Sequence, residues 1–218
     1  KNKPEMVDGR IICPSSTEGK GGWQVHFEIS DDLGKTWHKV GPIAVSEALP
    51  TFMPKTNDKD DDPEGGGITN TKTEKYVVQA IQPSILKHKD GRLQILCRTR
   101  NGAVGTAWSN DRGNTWTPLE LTELPNNNSG TDAVTLKDGR HVIIYNNYRT
   151  PQGAKKGNRT PLNIAVSRDG IHWDMKLVLE DSPISQYSYP AIIQGKDGRI
   201  HCIYTWRRQR IKYQEIKL

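Results

Sequence analysis

Four short runs gather the side chains of this sequence that could bind or transform a polar ligand: Ser15 to Glu18, Arg98 to Arg100, Asn146 to Arg149, and Trp206 to Arg208. Arginine offers a planar, permanently charged fork that meets a carboxylate through two parallel hydrogen bonds. Glu18 is the single carboxylate of the four runs, a candidate general acid or hydroxyl acceptor, although beside Lys20 it reads more readily as a solvated turn residue. Asn146 and Asn147 suit ligand hydroxyls or a turn, and Trp206 could stack on a flat ligand face. Other chemistries lack their motifs. There is no Gly-x-Ser-x-Gly and no HExxH, the six His are scattered, and Gly65-Gly66-Gly67 has no Lys-Ser/Thr after it.

The runs matter because of what precedes them. Each follows an Asp-Gly-Arg and an apolar stretch: Asp8-Gly9-Arg10, Asp90-Gly91-Arg92, Asp138-Gly139-Arg140 and Asp197-Gly198-Arg199. Asp-Gly between apolar segments predicts a hairpin, since glycine accepts positive φ without a Cβ penalty. The stretches Ile11 to Cys13, Leu93 to Cys97, His141 to Tyr145 and Ile200 to Tyr204 read as buried strands.

A second marker, Ser-x-Asp-x-Gly-x-Thr-Trp, repeats in step with the first. It is complete at Ser30, Asp32, Gly34, Thr36, Trp37 and at Ser109, Asp111, Gly113, Thr115, Trp116. A copy one residue shorter, without the Thr, spans Ser167, Asp169, Gly170 and Trp173. Ser and Asp should bond the turn backbone while Trp packs beneath it. The strand before the first copy alternates Val25, Phe27, Ile29 with Gln24, His26, Glu28. One unit is therefore strand, hairpin, strand, box hairpin, strand: a four-stranded antiparallel blade. Units are expected near 1–49, 76–124, 131–181 and 187–218, with a polar insertion over 50–75. Asp58, Asp60 and Asp62 in that insertion suggest a calcium loop, but Pro63 stands where such a loop needs Gly. No metal or other cofactor is expected.

Composition narrows the classes. Few Phe (2) against Trp (6), Tyr (7) and Gly (20) favours many short strands over a helical bundle. The formal charge of +6 is spread along the chain without a nucleic-acid motif, and a basic cleft for an acidic ligand accounts for it equally well. Nucleic acid is not an expected partner. No apolar run approaches the length of a membrane span, about 18 residues. Cys13, Cys97 and Cys202 lie inside apolar strands and are expected to be buried thiols.

The boxes are Asp boxes, and the sequence resembles the sialidase (neuraminidase) superfamily, in particular its bacterial BNR-repeat branch. The likeness extends over essentially the whole chain through Cys13-Pro14-Ser15-Ser16-Thr17-Glu18, Gln82-Pro83-Ser84, Cys97-Arg98-Thr99-Arg100, Tyr187-Ser188-Tyr189-Pro190 and Ile203-Tyr204-Thr205-Trp206. It implies an all-β fold, a sialidase-like β-propeller of six blades in the family, of which about four are represented here. It implies a secreted or periplasmic location. It also implies arginines that clamp a sugar carboxylate, a Tyr–Glu nucleophile pair and an Asp acid/base.

On that resemblance Tyr187 matches the nucleophile, Arg98 (or its neighbour Arg100) the second arginine and Arg159 the third. Gln82 stands where the family has its catalytic Glu, which leaves Tyr187 without a proton acceptor. Glu18 and Asn147 are further substrate-binding candidates. The first arginine and the acid/base Asp, which come from early blades in sialidases, are not located in this sequence. The expected function is exo-hydrolysis of a terminal, acidic sugar of a glycan, the alternative a non-catalytic carbohydrate-binding or scaffold propeller. An arc of four blades leaves apolar faces open, so either N-terminal blades are missing or the chain forms a homo-oligomer.

Overall fold

The computed structural model describes residues 2–20, 22–46, 78–149, 157–184 and 186–218. The polar insertion, with Asp58 to Asp62 and Gly65 to Gly67, lies outside the described residues. Among these there are fifteen strands and no helix, in four antiparallel sheets that form the blades of a β-propeller. The first sheet comprises β1 (Glu5–Val7), β2 (Arg10–Gly19), β3 (Gly22–Ser30) and β4 (His38–Val40). The second holds β5 (Ala80–Lys87), β6 (Leu93–Thr99), β7 (Ala103–Ser109) and β8 (Glu120–Pro125). The third holds β9 (Asp132–Thr135), β10 (His141–Asn146), β11 (Leu162–Ser167) and β12 (Asp174–Glu180). The last has three strands, β13 (Tyr187–Gln194), β14 (Ile200–Trp206) and β15 (Arg210–Ile216).

Apolar residues fill the spaces between successive sheets. Ile12, Phe27 and Ile29 pack with Ile85, Ile95 and Ala107 between the first and second. Leu86 and Leu96 meet Ile143 and Tyr145 between the second and third, and Ile144 and Ile164 meet Ile192 and Tyr204 between the third and last. Sheets covered on both faces explain why β6, β10 and β11 are buried along their whole length and lack polar alternation. Cys97 and Cys202 are buried free thiols, while Cys13 is half-buried.

The Asp boxes bond as their residue types predict. The Ser30, Ser109 and Ser167 hydroxyls accept from the backbone N–H of Gly34, Gly113 and Gly170 at 2.7, 2.9 and 2.8 Å. Asp32 and Asp111 take the backbone N–H and hydroxyl of Thr36 and Thr115. The third box has no Thr, and the His172 ring fills that place at 2.7 Å from Asp169. Donation from the Thr36 backbone and hydroxyl draws Asp32 down to about 2. The Trp116 ring stacks on Phe27 at 4.5 Å, tying one blade's box to the blade before it.

A single carboxylate joins the inner strands. Asp132 on β9 is buried, accepts from the Ser84 hydroxyl on β5 (3.0 Å) and the Ile192 N–H on β13 (2.9 Å), and pairs with Lys3. It fixes the spacing of β5, β9 and β13. The segments just before it on β5 and β13 hold the residues discussed next.

Candidate functional site

Strand register makes Ser16, Arg98, Asn146 and Thr205 equivalent, each six residues beyond the Arg of the Asp-Gly-Arg turn in its own blade. Two of them reach the following blade, and Arg98 reaches the loop that leads to it. The Ser16 hydroxyl accepts from the Gln82 N–H at 3.4 Å, Arg98 Nε donates to Asn128 Oδ1 at 3.0 Å, and Asn146 Nδ2 donates to the Tyr187 carbonyl at 3.1 Å. Hence the ends of these strands lie against the chain that leads into or forms the next blade. Arg98 alone among them brings a charge.

Arg98 is 8% exposed and lies 5.0 Å over the Trp23 ring, with Arg100 4.2 Å over the same ring. Burial lowers its pKa, and interaction with the Tyr189 hydroxyl acts against that shift. The same guanidinium feels repulsion from Arg159 and attraction from Glu18, so these four side chains form one electrostatic cluster. Arg159 sits 5.3 Å from the centre of the Tyr189 ring and donates to Gln186 Oε1 at 2.9 Å. Two guanidinium groups therefore lie beside one phenol, a setting that favours an incoming anion.

Tyr187 lies elsewhere. It has no exposed surface, belongs to the apolar packing between the third and last sheets, and its hydroxyl accepts from Arg207 Nε at 3.3 Å. Its backbone still touches the cluster, since its N–H donates to the Arg159 carbonyl at 2.8 Å. Asn147 stands outside the cluster, its amide turned to the Met175 sulfur at 3.5 Å.

Gln82 and Tyr189 share one backbone device. Each occupies a bulge on the inner strand of its sheet, with φ of 57° and 50°, and each is followed by proline. Non-glycine residues seldom adopt this region, and such strain gathers at functional positions. The Gln82 Oε1 is buried with no hydrogen-bond partner among the described residues. Tyr189 is absent from the sequence-based expectations, yet its signal is in the spacing. Gln82 precedes Asp90 by 90 − 82 = 8 residues, and Tyr189 precedes Asp197 by 197 − 189 = 8. Reading the tyrosine against its own hairpin, as Gln82-Pro83 is read against its own, selects Tyr189-Pro190.

The model of the BNR repeat-like domain matches residues 1–202. The chain belongs to the BNR repeat-like family. No curated protein matches this BNR repeat-like chain. Among solved structures it is similar to the leech intramolecular trans-sialidase, with 16% identity and a TM-score of 0.63 over 98% of this chain and 31% of that one. It is similar to the intramolecular trans-sialidase from Ruminococcus gnavus, with 19% identity and a TM-score of 0.62 over 99% of this chain and 43% of that one. It is also similar to a protein of unknown function from Dyadobacter fermentans, with 20% identity and a TM-score of 0.62 over 92% and 47% of the two chains. The chain thus spans less than half the length of these structures. At these identities the likeness establishes the sialidase-like propeller.

Among the described residues of the BNR repeat-like chain, no three His, Cys, Asp or Glu gather as a metal site, and no helix is long and apolar enough to cross a membrane.

Proposed function

We propose that the chain is a sialidase-like exo-glycoside hydrolase whose substrate ends in a carboxylate-bearing sugar. The observation that carries this reading is the gathering of Arg98 and Arg159 beside Tyr189. A sugar carboxylate would be held by the two guanidiniums, the better because Arg98 is largely withdrawn from water. Tyr189 then takes the nucleophile's part. Its oxygen bonds to the anomeric carbon as the glycosidic bond breaks, its proton passes to a base, and the departing oxygen takes a proton from an acid. A phenol suits this centre because, while neutral, it is not repelled by the substrate's own carboxylate. Glu18 is the carboxylate that the cluster offers for proton transfer. Tyr187 is a wall residue behind Arg159.

Gln82 favours a second reading, a non-catalytic carbohydrate-binding propeller. An amide offers the hydrogen-bonding shape of a glutamate and cannot accept the phenol's proton. Turnover of aryl glycosides of sialic and uronic acids separates the two. The hydrolase reading expects release of the aryl group by the wild type and its loss in Tyr189→Phe and Arg98→Ala. Binding of the acidic sugar without release by the wild type supports the binding module. No binding at all overturns both.

A further inference from the structure

The hairpin between β14 and β15 adjoins the Arg159 cluster and carries Trp206, Arg207, Arg208 and Arg210. Trp206 pairs across the turn with Arg210. Arg207 and Arg208 have φ of 51° and 57°, the geometry of a tight turn in which Asn-Gly is the favoured pair. Two arginines at these positions carry backbone strain that a sequence selected only for the turn would avoid.

Arg207 is held by neutral acceptors and an aromatic face. Arg207 donates to two neutral oxygens, the Tyr187 hydroxyl at 3.3 Å and the Ser182 hydroxyl at 3.1 Å. Its Cζ lies 4.4 Å from the Trp206 ring centre, and the Arg210 Cζ lies 4.6 Å from it. These contacts orient the half-buried guanidinium and leave its charge without a carboxylate among the described residues. The hairpin is continuous with the cluster. The Arg207 N–H donates to the Gln186 carbonyl at 2.7 Å, and the Gln186 side chain accepts from Arg159.

We infer that Arg207, held against Trp206 and Tyr187, is a second anion subsite for a carboxylate or sulfate on the sugar next to the terminal one. The inference rests on the reading of Arg98 and Arg159 as the first subsite. The preferred ligand is then a glycan with two adjacent acidic sugars, and Trp206 supplies a face for the second ring.

Calorimetric titration with sulfur-linked, hydrolysis-resistant probes tests it. The probes are a methyl sialoside, a disialyl glycoside with a second carboxylate, and a sialyl-galactoside sulfated on galactose. The wild type should bind one or both diacidic probes about tenfold more tightly than the monoacid, the value of one further charge-assisted bond. A gain for only one of them identifies the preferred acid. Arg207→Asn should bring the diacid down to the monoacid's affinity and leave the monoacid unchanged, whereas Arg98→Ala should weaken all three. Asparagine tolerates this φ, so the variant's melting temperature checks its fold. Arg207→Lys is the second variant and should keep only part of the gain. Equal affinity for all three probes in the wild type overturns the subsite and leaves the first site standing. Equal losses on mono- and diacid in Arg207→Asn also overturn it. No binding of any probe removes both readings together.

Discussion

Gln82 and Tyr189 hold the same place in two blades, each on a bulge of the inner strand with positive φ and a proline after it. One presents an amide and the other a phenol. If Tyr189 is the reacting phenol, Tyr189→Phe should lower turnover of an acidic aryl glycoside by about 10²-fold or more. Tyr187→Phe should act on stability, by about 1 kcal/mol for the lost bond to Arg207. Paired kcat and melting measurements on the two variants distinguish these roles. A kcat collapse in Tyr187→Phe alone would reverse the assignment.

Gln82→Glu puts a carboxylate at the matching bulge. The hydrolase reading expects higher kcat, with a new ionisation on the acidic side of the pH–rate profile. An unchanged profile would show that this position takes no part in proton transfer.

Asp132 should be the most sensitive position of the inner strands. Asp132→Ala leaves the Ile192 N–H without its acceptor and Lys3 without its partner. The expected loss is about 3–5 kcal/mol, with a smaller loss for Asp132→Asn, which keeps an acceptor for Ser84 or Ile192. Urea titration measures both.

Acid should weaken the join between the second and third blades. His141 is buried and packs at a tilt against His88, with ring centres 4.2 Å apart, and its ring accepts or donates at the Thr135 hydroxyl. Burial, reinforced by the charge of His88, holds His141 down to about 4, while Asp169 works against the shift. His88 is lowered too, by burial, against the influence of Gln94 and Asp90. Between pH 6.5 and 4 the unfolded chain therefore takes up a proton that folded His141 refuses. Stability is full above pH 6.5 and falls as the pH drops through that window, by on the order of 3 kcal/mol for His141. Asp-box carboxylates such as Asp32, lowered to about 2, lose their contribution only below pH 4. His141→Gln should flatten the dependence of melting temperature on pH between 6.5 and 4.

Gly113→Ala tests the seam between the first two blades. This glycine has φ of 87°, and an added Cβ would stand 3.1 Å from the Ile12 Cδ1. A cost of about 1–3 kcal/mol should lower the melting temperature by roughly 2–4 °C per kcal/mol. Gly91→Ala has an open position at the same φ and shows the conformational part alone.

Local chemistry was enough to determine the blades. Asp-Gly turns and Ser-Asp-Gly-Trp boxes satisfy their own backbones within a few residues, so their repeat fixes strands and hairpins wherever the chain goes. The resemblance to sialidases made Arg98, inside the second strand of its blade, and Arg159, ahead of the third strand of the next, legible as candidate arginines. Which tyrosine meets them was decided by the tertiary structure. Tyr187 and Tyr189 are two residues apart, and regular strand alternation would turn both the same way. The bulge at Tyr189-Pro190 breaks that alternation, sending Tyr187 into the packing between blades and Tyr189 toward Arg98. The pairing of Tyr189 with Arg98, 91 residues earlier (189 − 98 = 91), exists only because the sheets curve around a common axis and bring distant strand ends together.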